Sequence, residues 1–107
     1  MRETLLSLAD TMSGSDRVKA KAAKAIMAQQ VHAACAPGGS AKLRAELLRE
    51  LMAILVSKRP RLVRAHAIEL IGFLGSKSDD KALARFAADP ELKDNIKMAR
   101  ERLQRGS

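Results

Sequence analysis

Apolar residues recur at helical spacing along most of this chain. In "VRAHAIELIGFL" from Val63, the apolar positions Val63, Ala67, Leu70, Ile71 and Leu74 fall three or four residues apart. Leu47, Leu51, Ile54 and Leu55 keep the same period. That spacing lines one face of an α-helix. The periodic stretches are separated by turn signals: "SGS" at 13–15, "APGGS" at 36–40, "KRP" at 58–60, "GSKS" at 75–78 and "DP" at 89–90. The pattern predicts an all-α chain with six helices at about 2–12, 16–35, 41–57, 60–75, 79–88 and 90–104.

Several boundaries carry their own physics. Asp89 can cap the last helix, and Pro90 supplies a preset φ while giving up an amide that a first turn leaves unused. Pro60 does the same for its helix, Gly75 suits a left-handed end, and Ser40 and Ser78 are candidate caps. Short connections make neighbours antiparallel, which gives three hairpins at about 2–35, 41–75 and 79–104 within a single domain, 1–107. The core expected from this takes Leu5 and Leu8, then Val18, Ala22 and Ile26, then Leu47, Leu51, Ile54 and Leu55. From the second half it takes Val63, Ala67, Leu70, Ile71, Leu74, Leu83, Phe86, Leu92, Ile96 and Leu103.

The second helices of the pairs resemble one another. "VKAKAAKAIM" from Val18 and "VRAHAIELIG" from Val63 share V-[K/R]-A-x-A-[A/I]-x-[A/L]-I, and "LKDNIKMARE" from Leu92 keeps the apolar–basic–apolar skeleton. The offsets are 45 and 29 residues, so the repeating unit is a helical hairpin of variable length. One hairpin cannot bury its own apolar stripe, so such units are expected to stack.

A turn with Asp or Pro followed by V-R-x-x-A-x-x-x-L-G resembles the HEAT-repeat family. Pro60, Val63, Arg64, Ala67, Ile71 and Gly72 carry the resemblance, with Lys19 and Lys93 standing where Arg64 stands. It implies an α-α superhelix of three stacked hairpins whose second helices line a concave surface. It also implies a structural basic ladder of Lys19, Arg64 and Lys93, paired with turn aspartates such as Asp16 and Asp89.

Composition sharpens the functional side. The chain has 107 residues and a net charge of +8. Counted with their adjoining turns, the first helices carry −1, +1 and 0, and the second helices +3, +3 and +2. The whole net charge falls on one class of helix, which favours an acidic partner. With the ladder set aside, Arg17, Lys21, Lys24, Arg59, Arg61, Lys97 and Arg100 are the candidate partner-binding residues.

Other chemistry is sparse. His32 and Cys35 are three apart on one helix, but two ligands without a second cluster make a poor metal site, so no metal or cofactor is expected. Cys35 is expected to be a small buried hydrophobe, and as the only cysteine it suits a reducing, cytoplasmic setting. His66 falls at the edge of the apolar stripe with no companion nucleophile, while Glu46 and Glu50 read as a wet helix face. Met12, Met27, Met52 and Met98 read as core filler, and the two aromatics, Phe73 and Phe86, also read as core. No apolar run approaches the roughly 20 residues that span a bilayer.

The expectation is therefore a non-enzymatic interaction module that binds an acidic protein segment through a basic helix face. Binding of a DNA or RNA backbone is the alternative, and the open ends of a stack make a homodimer plausible.

Overall fold

The structure is a computed structural model that describes residues 4–105. These residues form six α-helices: α1 (Leu5–Met12), α2 (Arg17–Cys35), α3 (Ala41–Val56), α4 (Arg61–Leu74), α5 (Asp80–Ala84) and α6 (Lys93–Arg105). A 3₁₀ turn at Lys77–Asp79 leads into α5, and no strand occurs among the described residues. The fold is all-α. Positions 2 and 3 of the expected first helix lie outside the described residues.

The helices start where local chemistry satisfies their orphan amides. Side-chain oxygens of Thr4, Asp16 and Ser40 accept from the amides of Ser7, Lys19 and Leu43 at 3.1, 3.1 and 3.2 Å. The α4 helix follows Pro60 and has no side-chain cap. Its carboxyl end differs from expectation, because Gly75 is extended, at φ −79° and ψ 179°, rather than left-handed. Close approach explains the glycine instead. A Cβ there would stand 2.9 Å from the Asp79 carboxylate and 3.0 Å from the Ile71 carbonyl.

The third hairpin is also shorter than the pattern predicts. After Ala84 the chain tightens into successive i→i+3 bonds, Phe86 to Leu83, Ala87 to Ala84 and Asp89 to Phe86. Pro90 then supplies no amide to extend a helix. The Asp89 carboxylate accepts from the Glu91 amide at 2.9 Å, and α6 begins at Lys93.

Consecutive helices pack as pairs, α1 with α2, α3 with α4 and α5 with α6. In addition, α4 packs between α2 and α6, and α1 packs on α3. Direction follows from the contacts. His66 of α4 meets Lys24 of α2, while Phe73 meets His32 and Cys35 further along. Arg61 meets Glu91, Gly72 meets Ala99, and Phe73 meets Arg102. The second helices α2, α4 and α6 therefore run side by side in the same direction. The first layer is stitched likewise, since the Leu5 amide at the start of α1 donates to Glu50 of α3 at 2.7 Å. The Cα extents of 38 × 36 × 17 Å describe a plate two helices thick.

Most of the expected core is buried between these layers, with Leu74 and Phe86 only half-buried. The α2 helix is the exception. Ala23, Met27, Val31 and Ala34 face inward, whereas Val18 is 80% exposed and Ala22 and Ile26 are also exposed. The buried set of α2 lies 40 residues before Val63, Ala67, Ile71 and Leu74, not the 45 that the Val18 match gives. Alanine and lysine recur so often between 19 and 28 that the letters fit several registers. Packing against α1 and α4 selects one of them. By this register, Lys24 rather than Lys19 stands where Arg64 stands.

Candidate interaction surface

The cations singled out from the sequence divide by what they touch. Arg64, half-buried, donates from Nε to the Leu55 carbonyl at 2.9 Å, satisfying a carbonyl of the last turn of α3. Its partner is thus a backbone carbonyl and not the turn aspartate expected of a ladder. Lys19 and Lys93 engage Asp16 and Asp89 only through their backbone amides. Arg44, which the pattern did not mark, does for α2 what Arg64 does for α3, donating to the Ala34 and Gly39 carbonyls at 3.2 and 2.9 Å.

Three of the candidate partner-binding residues are held within the protein. Arg59 pairs with Asp10 at 3.0 Å, tying the α3–α4 turn to α1. Arg61 donates to the Glu91 carbonyl at 2.8 Å across the start of α6. Arg100 grips Asp80 with two bonds of 2.8 and 3.1 Å. That grip draws the Asp80 carboxyl below its ordinary pKa and raises that of Arg100.

Arg17, Lys21, Lys24 and Lys97 are exposed and make no side-chain hydrogen bond or ion pair among the described residues. The first three fall at i, i+4 and i+7 on the side of α2 turned toward α4. Lys97 lies on the far flank of α6, with α4 between the two groups. The structure thus gathers Arg17, Lys21 and Lys24 and leaves Lys97 apart.

The outward face of the second-helix layer is more apolar than the sequence reading anticipated. Val18, Ile26, Leu62, Phe73 and Met98 are all exposed, and every one lies on α2, α4 or α6. Met98, expected in the core, is 64% exposed. Phe73, also expected inside, sits on the surface between three helices. The Arg102 guanidinium stacks over its ring and His32 meets it edge-on. Cys35 is likewise exposed rather than buried, its thiol 3.7 Å from the Phe73 carbonyl. Glu50 leaves its expected solvent role to cap α1.

Two grooves flank α6. The larger, about 600 Å³, is lined by Lys93, Lys97 and Arg100 together with Asp80, Asp94 and Glu101, so its charges offset. The smaller, about 190 Å³, lies between α4 and α6 beside Glu69, Asn95, Met98 and Arg102.

His66 is the one buried polar side chain among the described residues, at 6% exposure. Its Nε2 lies 3.3 Å from the Lys24 carbonyl, and its Nδ1 has no partner. Burial and the Lys24 charge lower its pKa, partly countered by the bond to the Lys24 carbonyl and the Glu69 charge. A neutral ring donating from Nε2 leaves Nδ1 as a bare acceptor.

No group of three or more His, Cys, Asp or Glu side chains able to hold a metal comes together among the described residues. No helix there is long and apolar enough to cross a membrane. The chain matches no protein-family model, no curated protein and no solved structure.

Proposed function

We propose that this protein is a non-enzymatic interaction module, a stack of HEAT-like hairpins that receives an acidic protein segment on its second-helix face. The observation that carries this reading is the row Arg17, Lys21 and Lys24. These cations are unpaired and lie on the layer where the exposed apolar side chains also gather. Cations free of internal partners add to the long-range field that draws an acidic segment in, and exposed apolar groups hold it once it arrives. The parallel run of α2, α4 and α6 supports the stacked-hairpin reading, because like helices of successive units stand side by side.

The test compares binding of polyglutamate and of duplex DNA to the full chain at low and moderate salt. Charge reversal of Arg17, Lys21 and Lys24 to Glu is expected to abolish polyglutamate binding, while reversal of Lys93 and Lys97 leaves most of it. Duplex binding that exceeds polyglutamate binding and falls steeply with salt would replace this reading with backbone recognition of nucleic acid.

A further inference from the structure

The outer face of the second helices is not uniform, and one place on it combines features that other places separate. Because α2 and α4 run in parallel with Lys24 level with His66, Leu62, one turn before His66, stands level with Lys21. Leu62 is 73% exposed, and Val18, at 80%, is one turn before Ala22 on the outward side of α2. The amino-terminal part of the α2–α4 seam therefore presents two large apolar side chains beside Arg17, Lys21 and Lys24.

No carboxylate forms an ion pair with Arg17, Lys21 or Lys24 among the described residues. Asp16 accepts from the Lys19 amide at the start of α2, and Asp10 is paired with Arg59. Glu69, nearly two turns beyond Leu62 on α4, lines the groove that α4 shares with α6, and its charge also reaches His66. The amides at the start of α4 have no side-chain cap and add partial positive charge at the same end.

On α6 the same ingredients do not meet. Around Met98 the available cation, Arg102, is stacked on Phe73. Along the outer flank of α6, Lys93 and Lys97 alternate with Asp94 and Glu101. Val56 ends α3, in the other layer.

We infer that the seam between the amino-terminal halves of α2 and α4 is the docking site, and that it fits an acidic segment bearing an apolar side chain. The apolar group seats against Val18 and Leu62, and the carboxylates meet Arg17, Lys21 and Lys24. This rests on the proposed interaction role and adds to it Val18 and Leu62 as the apolar contact, which requires an apolar side chain on the partner. A purely polyanionic ligand would use the cations and leave Val18 and Leu62 wet, whereas an amphipathic one removes that apolar surface from water.

Two synthetic peptides of equal charge test it, a Glu-rich helical peptide carrying a leucine stripe and a polyglutamate of the same length. Titrated into the full chain, the leucine-bearing peptide is expected to bind about tenfold more tightly, the size expected from burying part of one leucine. Leu62→Ser, at an exposed position, is expected to remove that advantage while leaving polyglutamate affinity unchanged. Val18→Ser gives an independent second variant with the same expected effect. Lys21→Glu with Lys24→Glu is expected to weaken both peptides. Equal affinity of the two peptides, or an advantage that survives both serine variants, overturns the seam and its amphipathic partner but leaves an acidic-segment module standing. Failure of both peptides to bind at low salt removes the interaction reading itself.

Discussion

The Arg102 guanidinium carbon lies 4.0 Å from the centre of the Phe73 ring, and the His32 ring meets the same Phe73 in a T-shaped pair, with centroids 5.2 Å apart and planes at 76°. One exposed ring thus joins α2, α4 and α6 at their carboxyl-terminal halves. An arginine over an aromatic face at an exposed site contributes about 0.5–1 kcal/mol, and an edge-on aromatic pair a similar amount. Phe73→Ala is expected to destabilise the fold by about 1–2 kcal/mol in urea unfolding, since it removes both contacts. Arg102→Ala is expected to cost less than about 1 kcal/mol. An alanine at 73 that leaves the midpoint unchanged would mean the ring merely rests on the surface.

Gly72 sets how closely α4 and α6 approach. A Cβ there would meet the Ala99 Cα at 3.3 Å and the Ala99 Cβ at 3.4 Å, tighter than ordinary contact and partly against backbone. Gly72→Ala tests a balance, because alanine favours a helix by about 1 kcal/mol while the contact opposes it. Gly72→Val removes the balance, forcing the helices apart at an expected cost of about 1–3 kcal/mol. A valine variant with wild-type stability in denaturant titration would refute the close packing of this pair.

How far the sequence discloses this molecule depends on what kind of partner each residue finds. Helices bounded by Ser40 and Pro60 were legible because caps and turns act within a few residues, whereas the Asp89-Pro90 turn does not open α6, which begins at Lys93. The inward face of α4 was legible because its apolar residues are large and well spaced. The inward face of α2 was not, because Ala22 and Ala23 are the same residue type and only tertiary packing separates them. The helix expected at 79–88 is there, but its early end at Ala84 was not legible, because the stretch is rich in helix formers while tight i→i+3 bonds take over at Leu83. On the candidate surface, the charge bias toward second helices was readable, but the fates of individual arginines were not. Arg44, Arg61 and Arg64 end on backbone carbonyls of other elements, and residue spacing carries no trace of those. Lys21 and Lys24 stay free for a similarly non-local reason, since no carboxylate from a neighbouring helix reaches them.

Arg64 and Lys21 are both basic and both on second helices, but their structural costs should differ. Arg64 makes a charge-assisted bond to a helix-end carbonyl from a half-buried position. Arg64→Ala is expected to cost about 1–2 kcal/mol, the usual range for a hydrogen bond to a charged group once partial exposure is allowed for. Lys21→Ala, with no internal partner, is expected to stay within about 0.5 kcal/mol. Thermal unfolding of the two variants beside the parent chain separates a structural cation from a free one. Equal losses would contradict that division.

His66 gives the α2–α4 seam a pH dependence whose sign can be worked out. Burial, then the nearby Lys24 charge, lowers its pKa from the ordinary 6.5, so the folded protein favours the neutral ring. Protonation would create a second N–H donor at the Nδ1 position, where no acceptor stands. The unfolded chain takes up its proton first, near pH 6.5, while the folded chain resists until lower pH. The associated stability is therefore fully present above pH 6.5 and is lost as pH falls through the folded-state value. Stability measured by urea unfolding is expected to decline between pH 7.5 and 5.5 in the parent chain. In His66→Gln, which keeps a donor for the Lys24 carbonyl but cannot titrate, the decline over that interval is expected to shrink. Hydrogen exchange places the effect, with amides along the facing stretches of α2 and α4 losing protection before those of α3. If the glutamine variant keeps the full decline, the ring at this seam is not its source.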